Sequence, residues 1–295
     1  MESNERTTDL LDPELITLLE RLSVAERELV QDRSGHAGPP AADSLGVDFY
    51  EYASYQPGID VRHVDWAVYG RTGSLRVRSY ESHQEQPICV LLDLSASMGL
   101  GAAEGPTKFA LAHRLAAAIA YVGLVTYHPV RLIGFAKERL EVLPHRLGRE
   151  AVHEMLRFLG RFQPAGETSL ATGIAAGLED VSRKGGRIFV LSDFLDPAGL
   201  VEAFGLLGTT RRRVDLVAIV APGEEELPTG ASLGEDPETG QAVPLQVTPE
   251  LAADYAGRVR GQRQELARRA HEIRAHLATF PCTAELPDVV TELLG

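Results

Sequence analysis

One apolar run narrows what this chain can fold into more than any other feature. Ile88-Cys-Val-Leu-Leu ends on Asp93 and passes directly into Leu94-Ser95-Ala96-Ser97-Met98-Gly99. A short, unbroken apolar stretch rich in branched side chains and closed by turn residues reads as a parallel strand covered on both faces. Such strands belong to sheets with helices on both sides, whose ligands bind in the crevice beyond the carboxyl ends of the strands. The run therefore predicts an α/β fold and delivers one carboxylate and two hydroxyls into a crevice loop. Alone, D-x-S-x-S is weakly specific, because Asp and Ser are also ordinary caps and turn residues.

The order of elements after Ile88 agrees with that architecture. A helix is predicted from Thr107 to Thr126, then strands Val130–Ala136 and Arg139–Leu143 around Lys137-Glu138, a tight hairpin that makes one antiparallel edge strand. Helices follow over Gly148–Phe162 and Leu170–Arg183, a strand over Arg187–Ser192, a helix near Ala198–Leu207 and a strand over Val214–Ala221. Residues 222–247 contain the turn signal Asp236-Pro-Glu-Thr-Gly240 and read as an inserted hairpin. A long helix from Pro249 to about Arg274, a strand near Leu277–Thr283 and a helix from Pro287 complete the chain. The fold class is a doubly wound, mostly parallel α/β sheet occupying residues 87–295.

Residues 1–86 read as an elaboration packed on that core and not as an independent domain. Asp12-Pro13 starts a helix running to about Gln31, with Leu15, Ile16, Leu19, Leu22 and Leu29 as its apolar stripe. Gly35-His-Ala-Gly-Pro-Pro-Ala-Ala is the clearest linker. Ser74-Leu-Arg-Val-Arg-Ser-Tyr alternates with period two and predicts a strand, and Trp66 is expected to be a packing residue.

Two distant segments can join Asp93, Ser95 and Ser97. Thr168 lies in Pro164-Ala-Gly-Glu-Thr-Ser-Leu, a loop that opens a helical pattern, and Asp193 ends the strand beginning at Ile188. If Asp93 and Asp193 end adjacent parallel strands at a switch point, oxygen ligands from three loops converge. Hard oxygen donors suit Mg²⁺ or Mn²⁺, and these loops carry no Cys or His for zinc.

The order D-x-S-x-S, then Gly166-x-Thr168, then an Asp after a later strand resembles the metal-ion-dependent adhesion site of von Willebrand factor A domains. The resemblance implies ligation by Ser95, Ser97 and Thr168, with Asp93 and Asp193 acting directly or through water. Upstream, Phe49-Tyr-Glu-Tyr-Ala-Ser-Tyr-Gln-Pro-Gly58-Ile-Asp60-Val-Arg62-His-Val-Asp65-Trp66, continuing to Gly73-Ser-Leu-Arg-Val-Arg-Ser-Tyr-Glu81, resembles the signature of the DUF58 family of bacterial von Willebrand A proteins. Ile59 stands where that family usually has a second acidic residue, and Val47-Asp48 replaces its usual Glu before Phe49. The family resemblance implies a MoxR-type AAA+ ATPase partner and a chaperone-like role in maturing a client or inserting its cofactor.

Composition excludes several classes. A net charge of −13 disfavours non-specific binding to nucleic acid or anionic membranes. Two cysteines, Cys89 and Cys282, give no disulfide framework and read as buried thiols. No run of about eighteen apolar residues appears, and the first residues lack a signal peptide's basic and apolar regions, so a cytoplasmic location is expected. Gly99 to Lys108 lacks the Gly-Lys-Ser/Thr order of a phosphate loop, and Ser95 stands where a nucleophile elbow needs glycine. Arg211-Arg212-Arg213 reads as a solvated loop, with an acidic partner as the alternative. His63 and His83 have no ligand spacing.

With no His or Cys base in the three loops, a metal-dependent protein-interaction module is expected, engaging a partner's Asp or Glu, and not a catalyst. The alternatives are a phosphate-ester hydrolase using the same cradle, or a scaffold whose site stays empty.

Overall fold

The run at Ile88 becomes an interior strand of a six-stranded sheet in the computed structural model, which describes residues 10–21, 49–54, 64–80, 86–179 and 186–294. The sheet is made of β3 (Ile88–Asp93), β4 (Val130–Ala136), β5 (Arg139–Arg146), β6 (Arg187–Ser192), β7 (Arg213–Val220) and β10 (His276–Pro281). Their spatial order is β10-β7-β6-β3-β4-β5, parallel throughout except for β5, which returns antiparallel on the edge. Chain order runs outward from β3 in both directions, first through β4 and β5 and then through β6, β7 and β10. The switch point therefore lies between β3 and β6, where Leu92 is in register with Leu191.

Alternation along the central strands explains the two layers of helices. Val90 and Leu92, with Phe189 and Leu191, face a core shared with α3 (Lys108–Val125), α4 (Val152–Leu159) and α8 (Leu286–Leu294). Leu91, Ile133, Phe135, Ile188 and Val190 face the other core, closed by α5 (Leu170–Leu178), α6 (Pro197–Leu207) and α7 (Pro249–Glu272). Apolar groups on both faces of one strand are what a doubly covered sheet requires. α3 is long and apolar enough to pass as a membrane span, but most of it is buried against the sheet.

Helix α1, described over residues 13–21, contributes Leu15 and Leu19 to the first core, and Arg114 on α3 pairs with Asp12 at 2.8 Å. The rest of the helix expected to reach Gln31, and the linker after Gly35, lie outside the described residues. Compactness assigns residues 1–24 to the same unit as residues 86–295, and residues 25–85 to a second unit.

Within that second unit, β1 (Phe49–Ser54) pairs antiparallel with β2 (Arg76–Tyr80), the strand expected from the alternation after Ser74. Between them lies α2 (Trp66–Thr72), a helix within a segment whose sequence reads as strand and loop. Asp65 caps it by accepting from the amides of Ala67 and Val68 at 3.0 and 3.1 Å, and Gly73 ends it at φ +64°. Trp66 is not the packing residue expected. It is 60% exposed, with the Tyr69 ring edge-on at 6.1 Å. Val68 is the residue that α2 buries, and two residues along a helix turn a side chain to nearly the opposite face.

The inserted hairpin is present as β8 (Gly230–Glu235) and β9 (Ala242–Val247), joined by the turn Asp236–Gly240. Cys89 and Cys282 are buried free thiols. Arg211 and Arg213 are exposed, and Arg212 donates to the Gly177 carbonyl, in line with a solvated run. His63 and His83 lie outside the described residues.

Candidate metal centre

Backbone hydrogen bonds tie together two of the three loops at the carboxyl end of the sheet. The Ala96 amide donates to the Gly166 carbonyl at 2.8 Å, and the Ala165 amide donates to the Leu94 carbonyl at 2.7 Å. Gly166 sits at φ +80°, a conformation that favours glycine and lets the loop fold back onto the end of β3. The third loop follows β6, where Phe194 adopts φ +56° while buried, and Gln262 on α7 donates to its carbonyl. A bulky residue held in the left-handed region marks a backbone constrained by its surroundings.

Asp93 is the hub. Its Oδ1 accepts from the Ser95 amide at 2.9 Å, while Oδ2 accepts from Thr168 Oγ1 at 3.0 Å and from Ser192 Oγ at 2.6 Å. Ser95 Oγ and Ser97 Oγ lie 3.1 Å apart. The structure thus gathers Asp93, Ser95, Ser97 and Thr168 into one cradle, buried except on the Thr168 side. Burial pushes the Asp93 carboxyl up to about 6, the charge of Asp193 adds to the rise, and hydrogen bonds from Ser192 and Ser95 oppose it. A cation would relieve that electrostatic deficit, and the all-oxygen donor set suits a small hard ion. Among the described residues no three His, Cys, Asp or Glu side chains cluster as a metal-binding group, so the cradle is built mainly from hydroxyls.

Asp193 has a more specific position than expected. Its Oδ1 accepts from the Leu195 amide, whereas its Oδ2 accepts from Lys108 Nζ at 2.6 Å. Lys108 is fully buried at the first turn of α3 and also reaches Glu224 Oε1 at 2.8 Å. Burial pulls the ammonium down, but Asp193 and Glu224 outweigh it and hold its pKa above the ordinary lysine value. Arg263 on α7 braces Glu224 from outside at 3.4 Å. Asp193 thus serves as the counterion of a buried lysine, its charge felt at Asp93.

Four residues of this region were missed in the sequence: Ser192, Lys108, Glu224 and Glu238. Lys108 carried the one readable signal, a cation opening the otherwise apolar Phe109-Ala-Leu-Ala run. Glu238, on the β8–β9 turn, accepts from the Thr168 amide at 3.4 Å.

The profile described as "Protein of unknown function DUF58" matches residues 51–265. The chain belongs to the DUF58 family. It is 30% identical over 266 residues to uncharacterized proteins of Mycobacterium bovis and Mycobacterium tuberculosis, covering 88% of this chain and 82% of each of theirs. Among solved structures it is similar to the SpRpn10 VWA domain, with 15% identity, 70% of this chain and 94% of that chain covered, and a TM-score of 0.41. The RO (RSR) protein of Deinococcus radiodurans is similar at 17% identity, with 59% of this chain and 34% of that chain covered and a TM-score of 0.30. This DUF58 chain carries its Asp-x-Ser-x-Ser loop and Asp193 inside the matched segment.

Proposed function

We propose that this DUF58 protein is a non-enzymatic, Mg²⁺-dependent protein-interaction module whose cradle is completed by a carboxylate. The observation that carries this reading is the convergence of Asp93, Ser95, Ser97 and Thr168 on a buried site with one open side. Mostly hydroxyl donors place little negative charge directly on an ion, which stays receptive to a further acidic ligand. The loops contain no His or Cys to serve as a general base, which supports binding over hydrolysis. The partner is taken to be a MoxR-type AAA+ ATPase, with the pair acting in chaperone-like maturation of a client. That assignment rests on the family resemblance, while the acidic contact rests on the chemistry of the cradle.

Two measurements test it. Saturating Mg²⁺, at about a hundred times its dissociation constant, adds roughly 2.7 kcal/mol to a folded state that alone binds it. The melting temperature should therefore rise for the wild type and not for Asp93→Ala. Capture of a co-encoded AAA+ ATPase should weaken with EDTA and with Thr168→Ala. Equal thermal shifts in both proteins, or capture indifferent to EDTA, would remove the metal from the interaction. Turnover of a generic phosphate ester, lost in Asp93→Ala, would favour the hydrolase reading.

A further inference from the structure

The β8–β9 hairpin brings a carboxylate of the chain's own to the open side of the cradle. Asp236 shapes its tip, accepting from the Glu238 amide at 2.9 Å and from Thr239 Oγ1 at 2.8 Å. Gly240 closes the turn at φ +68° and donates to the Asp236 carbonyl at 2.8 Å. Asp236, Pro237, Thr239 and Gly240 are exposed, but Glu238 between them is half-buried. Its carboxylate accepts from the Thr168 amide at 3.4 Å. It therefore rests on the Thr168 loop of the cradle, at the side left open by burial.

The contact brings like charges together. Glu238 approaches a site that already holds Asp93 and Asp193, its donor there is the neutral Thr168 amide, and Lys137, whose charge reaches Glu238, is paired with Glu167. Lys108, the buried cation of this region, bonds to Asp193 and Glu224. Of the β9 side chains only Val247 is fully buried, and a two-stranded ribbon is marginally stable alone. A carboxylate held against like charge at the tip of a two-stranded ribbon is arranged as a removable ligand.

We propose that Glu238 is an acidic ligand supplied in cis, occupying the position that a partner's carboxylate would take, so that docking requires the hairpin tip to withdraw. This rests on the metal-dependent reading of the cradle. Withdrawal breaks the contact to the Thr168 amide, while the turn's own hydrogen bonds travel with the tip.

The test uses the full chain, Mn²⁺ as probe, and water-proton relaxation to report both affinity and the number of exchanging waters on the bound ion. Glu238→Ala should bind Mn²⁺ about tenfold more weakly, the ratio that 1.4 kcal/mol of lost ligation gives. Each bound ion should also gain one exchanging water. Binding of equal strength and equal relaxivity in both proteins would overturn the proposal and leave the metal reading intact. Weaker binding with unchanged relaxivity would overturn it too, because Glu238 would then act only at a distance. If neither protein binds Mn²⁺, the metal reading itself fails and this inference falls with it.

Discussion

Replacing Lys108 by methionine isolates the electrostatic core of the centre. The thioether stem keeps the apolar packing of a side chain that is fully buried, so the perturbation is mainly loss of charge. Asp193 would lose a contact of 2.6 Å and keep the Leu195 amide at 3.2 Å, while Glu224, partly exposed, would keep Arg263. The cost therefore falls on Asp193, and removing one partner of a buried ion pair costs about 3–5 kcal/mol. For a chain of this size that corresponds to a drop of about 6–10 °C in melting temperature, at roughly 2 °C per kcal/mol. Urea unfolding followed by circular dichroism in EDTA measures it directly. Adding Asp193→Asn to Lys108→Met should recover at least about 1 kcal/mol, since neighbours in one network are not additive. A cost for Lys108→Met below about 1 kcal/mol, or full additivity with Asp193→Asn, would refute the assignment of Lys108 as the counterion of Asp193.

Two further outcomes follow from the geometry. The Asp93 carboxyl, raised from 3.8 to about 6, contributes stability that is complete below 3.8 and is lost as pH rises through 6. In EDTA, lowering the pH from 7 to 5 should therefore stabilise the wild type by about 1 kcal/mol relative to Asp93→Asn, and parallel pH profiles of the two proteins would contradict the shift. At Gly173 on α5 an added methyl group would meet the Phe135 ring at 2.4 Å. Gly173→Ala should cost about 1–3 kcal/mol in urea unfolding through overpacking, and a neutral result would mean that the α5 face against β4 is loosely packed.

Much of the fold was legible in local patterns. β6 runs from Arg187 to Ser192 as its apolar run indicated, and β7, α3 and α7 fall within two residues of their expected ends. The reasons are short-range: apolar runs, Thr107 and Thr248 as caps, and Pro249 at a helix start all act within a turn or two of chain. Asp93, Ser95, Ser97 and Thr168 could be nominated because each follows a strand or opens a helix, and the ends of parallel strands share one edge of a sheet.

Tertiary structure alone decided which charges meet. Lys108 reaches Asp193 across 85 residues and Glu224 across 116, and Glu238 reaches Thr168 across 70. No periodicity encodes such pairings, because they depend on β6 lying beside β3 and on where the hairpin after β7 folds back. Ser192 reads in sequence as the last residue of a strand, yet the neighbouring β3 turns its hydroxyl into a donor to Asp93. Trp66 shows the converse, an aromatic that composition assigns to a core and α2 turns outward. Local pattern determines which residues form helices and strands, whereas burial of a charge is a property of what packs around it, and that is set only when distant strands take their places in the sheet.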